Sequence, residues 1–346
     1  MTKLKNLKEK PLIGQTKEEL KLLVQSLGRR PFRGEQLFDW LYRKQIYDYN
    51  KMSDLPNSFR EQLKHFTVHP LDIIHNNFSL SKQTQKFLFK LKNNKTIESV
   101  LMEENKRVTV CISTQVGCAV DCDFCATAKM GFIQNLTQGE IVDQFIQLQN
   151  FCRKKITNVV FMGMGEPFLN YKNTLGAAHL LHDPSGINMG AWRITISTAG
   201  IIKKIKKFTV DKEPFKLAIS LNGTSEEQRS KTMPINKTQS LSKLIQASES
   251  YTQCSRKKVT FEYVLLAGIN DDPNDAKKLQ YILSPINCKL NIIPYNDISS
   301  SYKRPRDSAI KLFVQTLAKA PFPVTVRWSK GHDINAGCGQ LARMSE

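Results

Sequence analysis

The sequence predicts an α/β protein: a parallel sheet, open or curled into a full or partial barrel, with a small N-terminal helical unit and a β-hairpin before it. Three observations carry this. From about residue 106 onward, strand-like and helix-like patterns alternate, which is the arrangement that builds parallel sheets. Residues 17–66 instead repeat apolar positions at helical spacing. Between the two, residues 84–102 read as strand, turn and return strand. The expected division is a basic helical unit over 1–70, a linker and hairpin extension over 71–103, and an α/β core over 104–346.

The elements follow in order. Leu20, Leu23, Val24 and Leu27 share one helical face over Lys17–Leu27, and Gly28 suits the helix end. Leu37, Trp40, Leu41 and Ile46 mark a second helix over 36–46, and Phe59, Leu63 and Phe66 a third that starts near Pro56. Thr84–Leu91 and Thr96–Met102 flank Lys92-Asn93-Asn94-Lys95, which is turn chemistry. Core strands are expected at 108–113, 158–162, 193–197, 216–221, 259–265, 290–294 and 324–328. The clearest helix is 137–153, where Thr137 and Glu140 have the spacing of a capping box. In folds of this kind chemistry gathers where strands end. Here those ends read Gly163-Met164-Gly165-Glu166-Pro167, Ser197-Thr198-Ala199-Gly200, Ser220-Leu221-Asn222-Gly223 and Tyr295-Asn296.

Composition narrows the function. The 346 residues suggest about two domains, or one large barrel with an appendage. Hydrophobic residues are 40%, enough for a buried core. No apolar run approaches the roughly 18 residues of a membrane helix, and the basic N-terminus lacks a secretory apolar segment. A cytoplasmic protein without a membrane anchor is expected. The net charge is +20, from 51 Lys and Arg against 31 Asp and Glu. Residues 1–97 hold 19 of those basic and 9 of those acidic residues, so about half the excess lies in just over a quarter of the chain. Such a surface either solubilises the chain or meets a polyanion. The run Lys203-Lys204-Ile205-Lys206-Lys207 allows the same two readings.

Four of the eight cysteines fall at 111, 118, 122 and 125. Cys118, Cys122 and Cys125 have the spacing C-x3-C-x2-C, close enough to wrap one metal centre. Structural zinc usually takes a fourth ligand, and no nearby C-x2-C or H-x3-5-H supplies one. A [4Fe–4S] cluster normally takes four thiolates, so three leave one iron open for chemistry.

This motif, with Phe124 before its last cysteine, resembles the radical S-adenosylmethionine (SAM) superfamily. The resemblance implies that the open iron chelates the amino and carboxylate groups of SAM, whose reductive cleavage yields a 5′-deoxyadenosyl radical. Gly163-Met164-Gly165-Glu166-Pro167 resembles the superfamily's SAM-binding segment. Thr109–Cys118, Gly331–Leu341, Phe32–Gln36 and Met52–Pro56 narrow the match to the RlmN/Cfr family of RNA adenosine methyltransferases, over essentially the whole chain. Val116 before Gly117 and Pro167 after Glu166 resemble the RlmN branch, which methylates adenosine at C2. The Cfr branch acts at C8.

The resemblance implies an adenosine in the peptidyl-transferase region of 23S rRNA and the adenosine at tRNA position 37 as substrates. It also implies a [4Fe–4S] cluster, two SAM molecules per turnover, a flavodoxin-type electron donor and a monomer. By the same match Cys118, Cys122 and Cys125 hold the cluster. Gly165, Glu166, Ser197, Ser220, Leu221, Asn222 and Asn296 contact SAM. Cys338 carries a methyl group that becomes a radical and adds to C2, Glu98 removes the C2 proton, and Cys111 attacks Cys338 to release methylated RNA and leave a disulfide.

Each residue alone has a plainer reading. Cys338 could be a structural thiol, although Gly337 and Gly339 beside it suit a mobile loop. Cys111 could be a small core residue, and Glu98 could sit on an exposed strand face. Cys152, Cys254 and Cys288 match nothing and are expected to be structural. Asn222 stands where many family members carry His, and Gly337 where Ala is common. Two alternatives stay open: C8 methylation, and a non-catalytic basic RNA-binding protein held together by zinc or an Fe–S centre.

Overall fold

The structure, a computed structural model, describes residues 9–298 and 300–342. Its strands are β1 Leu71–Phe78, β2 Thr84–Leu91, β3 Thr96–Glu104, β4 Arg107–Cys111, β5 Gln115–Gly117, β6 Phe132–Asn135, β7 Asn158–Phe161, β8 Ile194–Thr198, β9 Lys216–Ser220, β10 Val259–Leu265, β11 Cys288–Pro294 and β12 Val324–Val326. Ten of them form one sheet in the order β1–β2–β3–β4–β7–β8–β9–β10–β11–β12. The pairs from β1 to β4 are antiparallel. Those from β4 to β12 are parallel. Helices Gln138–Phe151, Tyr171–His182, Ile202–Val210, Leu241–Ser255, Pro273–Leu283 and Asp307–Thr316 make the crossovers.

The fold is therefore α/β, as expected. Side chains from β4, β7, β8, β9, β10 and β11 line one common cavity, so the parallel part curls around an interior. Among the described residues β1 and β12 do not pair, and the barrel stays partial. The expected hairpin is β2 and β3, with Leu88 opposite Glu98.

Three elements lay outside the sequence reading. Strand β1 is a polar edge strand with one face in solvent, and its Asp, His and Asn residues hide its period. Strands β5 and β6 form a separate two-stranded sheet around the cysteine loop, too short to show a period. The second helix also differs. It is α-helical over Phe32–Phe38 and widens to a π-turn over Asp39–Arg43.

Local chemistry explains the rest. Thr137 accepts from the Glu140 N–H at 3.2 Å while the Glu140 carboxylate accepts from the Thr137 N–H at 2.7 Å, a complete capping box. Thr16 and Glu19 build a second one at the start of Lys17–Ser26.

The N-terminal helices do not stand apart. Leu20, Leu23, Leu37, Phe38 and Leu41 belong to the same buried cluster as the barrel residues. The Tyr42 hydroxyl accepts the Gly14 N–H at 2.7 Å and donates to the Gln15 carbonyl at 2.9 Å. Gly14, with φ +102°, lies so close to the helix at Gly139 that a Cβ would come within 2.2 Å of its Cα. Gly14→Ala is therefore expected to destabilise by about 1–3 kcal/mol through overpacking, seen as a melting midpoint several degrees lower. An unchanged midpoint would contradict this docking. The shared core also means that removing residues 1–70 would bare apolar barrel surface. Charge substitutions are the cleaner way to ask what this unit binds.

Candidate active site

The site is built where the parallel strands end. Strand β5 delivers Cys118, whose N–H donates to the Gly131 carbonyl at 3.0 Å. Gly117 at φ +72° lets the chain turn there, and a Cβ would overlap the Gly131 carbonyl. The Cys125 N–H donates to the Cys122 carbonyl at 3.2 Å, and the Asp123 N–H donates to the Thr232 carbonyl at 3.0 Å. The three cysteines pack against Val120, Phe124, Ala199, Met233, Leu266 and Tyr295, a small apolar cluster separate from the main core.

All three cysteines line a cavity of about 160 Å³ that also contains Gly165, Glu166, Ser197, Ser220, Asn222, Asn296 and Cys338. The triad and seven further sequence-predicted residues thus meet in one place. Gly165 at φ +96° passes Gln115 so tightly that a Cβ would come within 2.4 Å of its side chain. Glu166 is fully buried, and its carboxylate accepts from the Ala199 N–H at 2.6 Å and the Phe168 N–H at 2.9 Å. Burial pushes this carboxyl up to about 7, against those hydrogen bonds and one from Thr198. Asn296 donates to the Ser329 hydroxyl at 2.8 Å and to the Cys338 carbonyl at 2.9 Å. Its buried carbonyl oxygen has no hydrogen-bond partner among the described residues.

Two predicted SAM contacts sit differently. Leu221 is fully buried and does not line the cavity; its carbonyl accepts from Arg229 Nε at 3.0 Å. Asn222 lines the cavity, but its side-chain oxygen accepts the Val264 N–H at 2.8 Å and its backbone sits at φ +53°. Asn tolerates that left-handed conformation better than most residues, so its carboxamide is partly committed to the fold.

A second cavity, of about 510 Å³, adjoins the first and is lined by both Cys111 and Cys338. Cys111 is on β4, opposite Val100 of β3 and beside Val160 of β7. Burial pushes its thiol up to about 12, with the Cys338 sulfur adding to the effect. Cys338 is exposed, and it lines both cavities. Burial raises its thiol too, with Arg327 opposing.

Glu98 lines neither cavity. It is buried on β3 in an ion pair with Lys86 of β2 at 2.9 Å, and it accepts the Ala342 N–H at 2.9 Å. Burial raises its carboxyl, with Lys86 opposing. Leu341, next to Ala342, does line the cavity of the two thiols.

Sequence reasoning missed Met162, Glu262 and Arg327. Met162 lines both of these cavities and a third at the starts of the parallel strands. Glu262 is buried on β10, accepts from Asn291 at 2.9 Å and lies 3.7 Å from Arg327. One signal was available: a carboxylate inside the apolar run Val259–Leu265 needs a reason to be there.

The residues fit an iron–sulfur cluster and SAM. Among the described residues, no three His, Cys, Asp or Glu side chains are gathered to hold a single metal ion. A cluster places each thiolate on a different iron and has no such requirement. Burial raises the Cys118 thiol to about 12 and Cys122 well above its ordinary range, and ligation is what displaces such protons. The unpartnered Asn296 oxygen and the Gly165 cradle supply an acceptor and a close backbone approach in the same cavity.

Comparison with known proteins agrees. The radical SAM superfamily pattern matches residues 112–279, and the N-terminal domain of ribosomal RNA large subunit methyltransferases matches 10–68. A probable dual-specificity RNA methyltransferase RlmN from Aquifex aeolicus is 41% identical over 333 residues, covering 94% of this chain and 95% of its own. Its counterpart from Akkermansia muciniphila is 39% identical, with 97% and 96% covered. The crystal structure of a radical SAM methyltransferase from Sphaerobacter thermophilus superposes with a TM-score of 0.92 at 39% identity, covering 96% of this chain and 98% of that one. Among the described residues no helix is long and apolar enough to cross a membrane. A cysteine triad and two further thiols lining adjoining cavities, set in a chain this close to such relatives, make the protein a member of the RlmN family of radical SAM RNA methyltransferases.

Proposed function

We propose that the protein methylates C2 of adenosine in 23S rRNA and tRNA, using Cys338 to carry the methyl group and Cys111 to release the product. The observation that carries this reading is that Cys338 borders both the cavity of the cysteine triad and the cavity of Cys111. When bound, the cluster and SAM supply a carbon-centred radical. The chain's own residues do the rest. Cys118, Cys122 and Cys125 would ligate the cluster. Gly165, Glu166, Ser197, Ser220 and Asn296 would hold SAM, with a supporting role for Asn222 and the Leu221 backbone. Two SAM molecules serve each turnover, one as methyl donor to Cys338. Reduction by a flavodoxin-type protein, action as a monomer and a cytoplasmic location complete the reading.

Glu98 is the proposed base for the C2 proton. It accepts the N–H of Ala342, the neighbour of Leu341, which lines the cavity of the two thiols. A base must be unprotonated, and burial raises this carboxyl. The methylation rate is therefore expected to rise with pH through that raised value. Lys86 holds the carboxyl down, so Lys86→Met should move the acid limb of the pH–rate profile to higher pH. Glu98→Gln should lose the rate at every pH. An acid limb that ignores Lys86 would rule Glu98 out.

The experiment for the reading as a whole is anaerobic reconstitution followed by digestion of treated RNA and identification of the methyladenosine isomer. The 2-methyl isomer supports it. The 8-methyl isomer would move the protein to the Cfr-type reaction. Failure to take up about four irons per chain would favour a non-catalytic RNA-binding protein.

A further inference from the structure

We propose that RNA presents its adenosine through the amino-terminal mouth of the barrel, where Lys216 and Lys289 grip its phosphates and the Trp192 indole stacks a neighbouring base. The proposal deepens the reading above and rests on it.

The mouth is a cavity of about 540 Å³ lined by residues at the starts of the parallel strands: Arg107 on β4, Asn158 on β7, Arg193 and Thr195 at β8, Lys216 on β9, and Lys289 on β11. It continues inward. It shares Val160, Met162, Asn291 and Arg327 with the cavity of Cys111 and Cys338, so the barrel has a lined path from one end to the two thiols.

Its charge is one-sided. Lys106, Arg107, Arg193, Lys216 and Lys289 face it and form no ion pair among the described residues. The two acids that line it are already engaged, Glu104 with Lys330 and Glu262 with Arg327. The cations also press on one another. Burial lowers Lys216, with Lys289 and Arg107 adding to it; burial also lowers Lys289, with Glu262 opposing and Arg327 and Arg107 adding. Like charges held together in a part-buried cleft destabilise the free protein and suit an anionic occupant.

The rim points to a nucleic acid rather than a small anion. Trp192 is 61% exposed on a short turn beside the mouth. The Arg193 guanidinium lies 4.5 Å from its ring centroid and Lys216 Nζ lies 5.8 Å away. A large aromatic held in solvent among cations is the platform used for unpaired bases. The segment that carries Trp192 also meets the basic N-terminal unit: Lys17 donates to Ser185, and Gly186 packs on Phe38 and Tyr42. The basic surface can thus run from that unit to the mouth. Deeper in, the buried Glu262 Oε2 has no hydrogen-bond partner among the described residues, an acceptor matched to a base with an exocyclic amino group.

The test uses the full chain as reconstituted holoenzyme and a short RNA hairpin with an unmodified adenosine in its loop. Affinity is measured at several salt concentrations. Trp192→Ala should weaken binding roughly ten- to a hundredfold, while Trp192→Phe keeps most of it. The double variant Lys216→Gln, Lys289→Gln should flatten the salt slope by roughly one per lysine. Iron content and RNA-independent SAM cleavage should stay at wild-type levels in all of them. Wild-type affinity and slope in both Trp192→Ala and the lysine variant would overturn the port while leaving the function standing. A wild-type holoenzyme that neither binds nor methylates the hairpin would overturn both.

Discussion

Cys111→Ala is expected to stop turnover and leave RNA covalently attached to Cys338. If Cys338 carries the carbon that bonds to adenine, something must break the bond between that carbon and sulfur. Attack on sulfur by a second thiol does this, and Cys111 lines the same cavity. Alanine removes the attacker at little cost to the fold. Cys111 is one small side chain packed between Val100 and Val160, and its loss leaves a cavity worth about 1 kcal/mol. A denaturing gel of labelled RNA should show a retarded, protease-sensitive band and no released product. The attacking form is the thiolate, and burial pushes the Cys111 thiol up to about 12. Below that value each pH unit raises the thiolate roughly tenfold, so in the wild type any transient adduct should shorten its life as pH rises. A normal product yield from Cys111→Ala with no retarded band would end this role for Cys111.

Cys122→Ala is expected to have an equally complete effect at an earlier stage. It should lower iron uptake well below that of the wild type and abolish SAM cleavage with or without RNA. The comparison lies within the same chain. Cys254 is exposed, and Cys152 and Cys288 are buried away from the cavities. Cys254→Ser should leave iron content, visible absorption and methylation unchanged. Iron uptake that survives Cys122→Ala but falls in Cys254→Ser would place the cluster elsewhere.

The parts of the fold legible in the sequence were those with a long, clean period. Strand β10 was read as Val259–Leu265, and the helix after Thr137 was readable because its cap is written in two residues. The three-residue β5 and the polar β1 gave no such signal. The site divides in the same way. The cysteine spacing is legible because thiolates that wrap one metal centre from one loop must be near in sequence. Glu262, Arg327 and Met162 line these cavities because curling the sheet brings three strands distant in sequence to one interior. The pairing of Glu98 with Lys86 depends on strand register, with Leu88 opposite Glu98, which no local pattern reports.

Two residues that the sequence flags also have tasks in the fold itself. Asn222 lies at the cavity, yet its side chain holds the Val264 N–H, a task set by its left-handed backbone. Gly337 allows the Cys338 loop to sit on Asn296, where a Cβ would come within 2.7 Å of the carboxamide nitrogen. The surplus positive charge had two readings in the sequence. In the folded protein a group of its residues lines the mouth of the barrel, where Lys106, Arg107, Arg193, Lys216 and Lys289 form no ion pair among the described residues.

The most direct test of the central claim follows the methyl group itself. The reconstituted enzyme is supplied with SAM whose methyl carries three deuteriums and with unmodified RNA, and the digested nucleosides are weighed by mass spectrometry. A methyl that passes through Cys338 and gives one hydrogen to a radical must reach adenine C2 with two deuteriums and one hydrogen from solvent. The account predicts 2-methyladenosine with that pattern. A product that keeps all three deuteriums would mean direct transfer, and would contradict the roles assigned to Cys338 and Cys111.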